Sequence, residues 1–361
     1  MEKLTGVERV SRQLKHQKVD RIAAYEGFWE FTLKNWIDQG KMTADKSAVE
    51  EFDLDIMEAW SFNTMIDPEF GRKTVEETEE TLTYQDGNGA VLRTHKKHAS
   101  TPEHLSWAIN NREEWEEKAK PFLKATRNRI NMGWYRDQKR KAAEQNRFFV
   151  WSGLNVFECM HCVCGHQTLL MEMALDPELT QDMANTFAQL TVDLMEILFA
   201  EEGTPDGIWF YEDMGFKGRP FMSPDMYREI LQPAHKKTID YAHSRKLPVI
   251  MHSCGFVEPL LPGMIEAGID CLQAMEVKAG MDLLRIYKNY GEKIALMGGI
   301  DVRPIGLNDL EGIRRELESK IPFVMQNNGY ILFSDHSIPE STEYETYKYF
   351  LDLGRKLGTY K

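Results

Sequence analysis

His252 and Cys254 stand two residues apart, where the apolar run LPVIM gives way to a glycine, Gly255. Imidazole and thiolate are ligands that zinc takes readily, and a third and fourth donor normally complete the set. Side chains at the end of an apolar strand can both aim at one ion. The same pair also reads as a packed thiol beside a hydrogen-bonded loop histidine, so its neighbours must decide. Glu212 with Asp213, Glu276, Asp301 and His336 all follow apolar runs in the same way. Several carboxylates in one mouth repel one another unless protons or a cation offset the charge. Metal binding and general acid catalysis would both use that arrangement. Glu276 is the carboxylate expected to join His252 and Cys254 on a metal, and Glu212, Asp213, Glu276, Asp301 and His336 are the catalytic candidates. Salt bridges to Arg303, Lys278 or Arg219 would account for some of these acids.

A second cluster, ECMHCVCGHQ, places Cys159, His161, Cys162, Cys164 and His166 within eight residues. It falls at the start of a helix, where Cys159 and Cys162 share a face while His161 and Cys164 point elsewhere. No second half of a zinc motif follows at the usual distance, so helix packing is the favoured reading. The methionines of LLMEMALD and TVDLMEILF have helical spacing and read as core. YEDMGFKGRP carries two glycines around Lys217 but lacks the Lys-Ser/Thr end of a phosphate loop, and reads as a mobile loop over the mouth. Tyr25, Trp29, Trp60 and Tyr211 lie at or near strand ends and suggest an aromatic wall for a flat organic substrate, with Asn155 as a polar contact.

The elements that must hold these groups recur with a regular rhythm. An amphipathic helix is expected over residues 1–20, followed by apolar strands at 22–25, 55–60, 147–155, 207–213, 247–251, 271–275, 293–301 and 329–337. Helical sequence follows seven of the eight fairly directly. Alternating strand and helix argues for a parallel sheet, and eight such units predict a (β/α)8 TIM barrel, in which functional groups lie at the C-terminal strand ends. Those ends read Glu26, Glu58, Asn155, Glu212 with Asp213, His252 with Cys254, Glu276, Asp301, and Asp335 with His336. One domain over residues 1–361 is expected, with an insertion at about 65–125 after the second strand. TEETLTYQDGNGAVLRTHKK in that insertion alternates around Asp-Gly-Asn-Gly, a hairpin signature.

Composition narrows the partners. The chain has 361 residues, 44 Lys and Arg against 57 Asp and Glu, and a net charge of -13, which argues against nucleic acid and against an anionic membrane surface. Five cysteines and a polar N-terminus lead to the expectation of a reducing cytoplasm. No apolar run is long enough to span a bilayer.

With these residues in place, the chain resembles the uroporphyrinogen decarboxylase superfamily from about residue 20 onward. YEDMGFKGRPFMSPDMYREILQPAHKK, the HSCG turn, the GGIDV turn and SDHSIP carry the resemblance. That superfamily holds true decarboxylases and corrinoid-dependent methyltransferases. A decarboxylase of this type has an Arg-rich loop after its first strand for a porphyrinogen's carboxylates; here the loop is AYEGFWEF, acidic and aromatic. The methylcobalamin:coenzyme M methyltransferases use His-x-Cys after strand five as zinc ligands, which His252 and Cys254 match. They add a Cys near strand eight, where this chain has His336, as the decarboxylases do. The resemblance therefore implies the methyltransferase component of a corrinoid-dependent O-demethylase, with zinc as cofactor and a small methylated aromatic substrate. Porphyrinogen decarboxylation and methylcobalamin:thiol methyl transfer are the alternatives. No DxHxxG-type corrinoid loop occurs, so the corrinoid is expected on a partner protein, and a homodimer is the expected assembly.

Overall fold

A computed structural model describes residues 3–98 and 101–360. Its centre is a parallel sheet of seven strands, in the order β1, β6, β7, β10, β11, β12, β13. These are Ile56–Trp60 (β1), Phe148–Leu154 (β6), Gly207–Tyr211 (β7), Val249–Ser253 (β10), Cys271–Ala274 (β11), Ala295–Gly298 (β12) and Tyr330–Ile331 (β13). The runs FFVWSGL, GIWFY and CLQA are almost wholly buried. Parallel strands covered on both faces need such continuous apolar stretches, not alternation. The helices Val156–Leu175 and Pro177–Glu202, both in the crossover from β6 to β7, pack on each other, and the second of them packs on Gln232–Ser244 of the next crossover.

Residues 22–25 do not form a regular strand, although one was expected there. They run between the two edge strands instead. Ala24 makes an isolated parallel bridge to Leu332, just beyond β13, while its carbonyl accepts from Asp55 N, just before β1, at 2.8 Å. Ala24 N donates to the Asp55 carboxylate at 2.8 Å rather than to a neighbouring backbone, which is why the ladder is broken. The sheet thus curls until both edges flank one short segment. The expected last strand, 329–337, is likewise reduced to two residues plus two isolated bridges, Leu332 to Ala24 and Ser334 to Ile300.

A buried ionic knot holds this seam. Arg9, 2% exposed, donates to Asp55 at 2.6 Å and to Asp20 at 2.8 Å, while Arg21 reaches Asp55 at 2.8 Å. Arg9 sits on the helix Gly6–Gln13, which a Thr5–Glu8 capping box starts. The expected helix over 1–20 is shortened to that span, and residues 1 and 2 lie outside the described residues.

The insertion after β1 forms a separate antiparallel sheet, in the order β2 (Lys73–Glu77), β3 (Thr81–Gln85), β4 (Val91–His95) and β5 (Glu103–Ser106). Its β3–β4 hairpin turns at Asp86-Gly87-Asn88-Gly89, where the Asp86 carboxylate accepts from Asn88 N and Ala90 N. The YEDMGFKGRP loop folds into a two-stranded ribbon, β8 (Gly215–Phe216) with β9 (Arg219–Pro220). No helix among the described residues is long and apolar enough to cross a membrane.

Candidate metal centre and its cavities

β7, β10 and β11 place the central group. In register, Tyr211 faces His252 and His252 faces Gln273. His252 Nε2 lies 3.3 Å from Cys254 Sγ and 3.1 Å from Asp213 Oδ1, and Cys254 N donates to the same oxygen at 2.7 Å. One donor atom from each of Asp213, His252 and Cys254 lies within 4.8 Å of the others. The turn after Cys254 needs a glycine: Gly255 has φ +78°, and a Cβ there would meet the Gly215 backbone at 2.2 Å. Ribbon and turn are further tied by Phe256 N donating to the Phe216 carbonyl at 2.9 Å.

His252 Nδ1 is within hydrogen-bond reach of the buried Gln273 amide oxygen. An amide oxygen can only accept, so Nδ1 carries a proton, and Nε2 is the nitrogen that faces Asp213 and Cys254 and becomes free to ligate once it gives up its own. Burial pulls the His252 imidazolium down, but Cys254 and Asp213 outweigh it and hold its pKa well above the usual range. Burial raises Asp213 in turn, yet the His252 charge and the Cys254 backbone bond bring it down to about 2. Burial also raises the Cys254 thiol. The three groups therefore form one proton-sharing set of a carboxylate, an imidazole and a thiol.

A second set adjoins the first. Glu158 Oε1 lies 2.9 Å from His161 Nε2, and one donor atom each from Glu158, His161 and Cys162 lies within 4.8 Å of the others. Asp213 N donates to Glu158 Oε1 at 3.3 Å, which links the two sets. A cavity of about 490 Å³ is shared by both, with Glu158, His161, Asp213, Cys254, Glu276 and Lys278 on its wall. A second cavity of about 560 Å³ lies between the β1 and β6 ends and the inserted sheet, walled by Trp60, Phe62, Tyr84, His104, Trp151 and Cys162.

The other expected residues divide sharply. Glu276 does not join the His252 and Cys254 donors; its Oε2 accepts from Gly255 N at 2.7 Å and its Oε1 pairs with Lys278 at 3.2 Å. Asp213 supplies the carboxylate in its place. Glu212, fully buried, turns inward: it accepts from Phe157 N at 2.7 Å and Glu158 N at 3.2 Å at the start of their helix, and from His235 at 2.5 Å. Asp301 starts a helix and pairs with Arg303 at 2.6 Å. Asn155 is 0% exposed, below the mouth, with Thr238 donating to it at 3.4 Å. His336 stays near the mouth, its ring 6.1 Å from Trp29, and burial lowers its pKa.

Of the expected aromatic residues, Trp60 and Tyr211 meet and Tyr25 joins them through Glu58, while Trp29 stands against His336. Trp60 lies 5.4 Å from Tyr211, Tyr211 lies 4.9 Å from His252, and Tyr211 stacks on Trp209 at 5.8 Å. Tyr25 and Tyr211 both donate to Glu58, at 3.1 and 3.4 Å, and burial raises the Glu58 pKa. Sequence reasoning placed Glu58 at a strand end without a role, and passed over Gln273 and Glu158 altogether. Their signals were register opposite His252 for Gln273, and i, i+3 spacing to His161 for Glu158.

The uroporphyrinogen decarboxylase (URO-D) family model matches residues 156–357, more than half of the chain. The chain belongs to that family. No curated protein matches it. Among solved structures, a methyltransferase from Methanosarcina mazei is similar in fold, with a TM-score of 0.70 at 14% identity over 98% of this chain and 99% of that one. The family's fold is thus shared end to end with that structure. A Cellulomonas fimi endo-beta-1,4-mannanase double mutant overlaps only partially, with a TM-score of 0.38 at 15% identity over 66% of this chain and 61% of that one.

Proposed function

We propose that this chain is a methyltransferase that moves a methyl group from a small methyl ether, of the methoxylated-aromatic type, to the Co(I) of a separate corrinoid protein. It would act as the first component of an O-demethylase system. The observation that carries the reading is the convergence of Asp213, His252 and Cys254 beside the Trp60–Tyr211 aromatic pair. Family membership and the fold likeness to the Methanosarcina mazei methyltransferase support it. We read residues 22–25 as the eighth stave of a (β/α)8 barrel, whose mouth would take the corrinoid protein as a lid.

The donor set fits zinc. It offers a thiol, an imidazole nitrogen with its tautomer fixed from behind, and a carboxylate, with His336 at the rim. Zinc held by Asp213, His252 and Cys254 would supply Lewis acidity toward an ether oxygen.

The chain's own groups do the rest. Trp60 lines the 560 Å³ cavity and contacts Tyr211, which in turn contacts His252, so an aryl ring seated on Trp60 would be linked to His252 through the Tyr211 ring. Displacement at the methyl carbon leaves the bonding pair on oxygen, and a phenolate leaves poorly without a proton or Lewis acid. Burial raises the Glu58 pKa while the Tyr25 and Tyr211 hydroxyls donate to its carboxylate, which places an acid–base group against Tyr211.

The test mixes purified protein with a Co(I) corrinoid protein and a panel of methoxylated aromatics while the cobalt spectrum is followed. Methylation of the corrinoid is expected, and Cys254→Ser should slow it about 100-fold or more, as loss of an electrophilic stabiliser does. No methylated corrinoid with any donor overturns the reading. The family match itself favours a second reading, decarboxylation of a porphyrinogen. Against it, the cations on the 490 Å³ cavity are Lys217 and Lys278, with no arginine among the described lining residues. Coproporphyrinogen formed from uroporphyrinogen by the chain alone would establish that reading.

A further inference from the structure

The ECMHCVCGHQ segment was expected to be helix packing, and for two of its cysteines that is what the structure holds. Cys159 Sγ lies 3.6 Å from the Thr64 hydroxyl, and Cys164 Sγ donates to the Met160 carbonyl at 3.3 Å. Both are buried. Cys162 differs. Its thiol has no hydrogen-bond partner among the described residues, and it faces Glu158 and His161 across donor distances within 4.8 Å. Positions i, i+3 and i+4 lie on one helix face, so a carboxylate, an imidazole and a thiol converge there from a single turn.

Two further features favour a ligand at that point. First, the charge is one-sided: Glu158, Asp213 and Glu212 crowd together, with Asp213 N on Glu158 Oε1 and Glu158 N on Glu212 Oε2. Among the described residues the partners of these carboxylates are imidazoles, His161 on Glu158 at 2.9 Å, His252 on Asp213 at 3.1 Å and His235 on Glu212 at 2.5 Å, and a bound cation would add to them. Second, the helix is broken to wall the group in. His161 and His166 would lie about 140° apart around a regular helix. Gly165, at φ +75° and ψ 157°, folds the chain so that the two rings stack at 4.2 Å and 23°. A Cβ at Gly165 would meet the Trp107 ring at 2.5 Å, so the inserted sheet presses directly on the kink.

We propose that Glu158, His161 and Cys162 form a second metal site, for a borderline divalent cation of the zinc type, on the wall between the two cavities. Thiol, imidazole and carboxylate are the donors such ions take, with an open position toward the cavity. Glu158 and His161 line the 490 Å³ cavity together with Asp213 and Cys254, whereas Cys162 lines the 560 Å³ cavity. The mouth would then hold two ions on opposite sides of Asp213. The site does not depend on the methyl-transfer reading.

The test uses the full chain, stripped with a chelator and titrated with Co(II). Bound metal is counted after gel filtration, and thiolate-to-cobalt absorption is recorded. Two equivalents are expected in the unaltered chain. Cys162→Ser and His161→Ala should each remove one equivalent and keep the thiolate band of Cys254; Cys254→Ser should do the reverse. Retention of the Cys254 band shows that the mouth of each Cys162 or His161 variant is folded. A single equivalent in the unaltered chain that Cys162→Ser leaves in place, or a second equivalent that survives a combined His161→Ala and Cys162→Ser change, overturns the site. One shared equivalent lost with either cysteine overturns it too. If Cys162→Ser removes an equivalent and Cys254→Ser removes none, the second site stands and the metal of the proposed function falls.

Discussion

Gln273 stands directly opposite His252 across β10 and β11, and its amide oxygen meets His252 Nδ1. The contact sets which imidazole nitrogen faces Cys254 and Asp213. Gln273 is 1% exposed, so no solvent competes for the bond. Removing such a supporting partner typically costs about 10–100-fold in metal affinity. Gln273→Ala should therefore weaken Zn(II) binding at the Cys254 site by that factor, measured by competition with a chromophoric chelator. Gln273→Glu, which keeps the acceptor, should lose much less. Equal affinity in Gln273→Ala and the unaltered chain would remove Gln273 from the site.

The strand ends were legible because an apolar run followed by a polar residue marks where a buried parallel strand leaves the core. Sequence could not say which of two consecutive acids faces the mouth. Glu212 and Asp213 are adjacent, but their side chains leave the backbone in different directions: Glu212 inward to His235 and a helix start, Asp213 to His252. Glu276 looked like a ligand for the same reason, and Lys278 with Gly255 N engages it instead. The apolar run at 22–25 was expected as a strand and is not a regular one, because its hydrogen bonding depends on the Asp55 side chain, which no local pattern reports. In the second cluster, attention to cysteines hid Glu158, the acid one helical turn before His161.

Asp335 gives a pH test. Its two oxygens accept from Val277 N at 2.7 Å and Val302 N at 2.8 Å, tying the chain after β11 and β12 to that after β13. Burial, with Asp301 and Glu276 nearby, raises its pKa from 3.8 to about 6. The folded chain thus keeps a proton that the unfolded chain releases. That stabilisation is complete below about pH 4 and lost as pH rises through about 6, and is at most about 3 kcal/mol. Asp335→Asn does not titrate and leaves one backbone N–H without its acceptor, at about 1–3 kcal/mol. Its deficit in urea unfolding should be larger near pH 4.5 than near pH 7.5. A deficit that grows with pH would contradict the assignment.

Arg9 tests the seam. It is the buried cation between Asp20 and Asp55, and removing one partner of a buried ion pair leaves an uncompensated charge costing about 3–5 kcal/mol. Arg9→Met should fall at the lower end, because Arg21 still pairs with Asp55. Burial works to raise Asp20, but Arg9 and two backbone bonds hold it at about 2. A lowered carboxylate stabilises above its unfolded value of 3.8 and loses that as pH falls toward 2. The cost of Arg9→Met, read from urea midpoints, should therefore shrink below about pH 4. A cost under about 1 kcal/mol at neutral pH would mean that the seam is held by packing alone.

Two glycines on helices should respond in opposite directions to the same substitution. Gly133 lies exposed in the helix Met132–Glu144, where an added Cβ would find only the Asn131 Oδ1 at 3.9 Å. Alanine there gains helix propensity, and Gly133→Ala should stabilise by up to about 1 kcal/mol. Gly165 has φ +75° and ψ 157°, a conformation open to little besides glycine, with the Trp107 ring 2.5 Å from the missing Cβ. Backbone strain alone costs about 1–3 kcal/mol, and Trp107 or the helix must also shift. Gly165→Ala should therefore destabilise by at least that amount and change the Trp107 environment in near-ultraviolet circular dichroism. A neutral Gly165→Ala would mean that the helix runs straight through this position, and His166 could not then stack on His161.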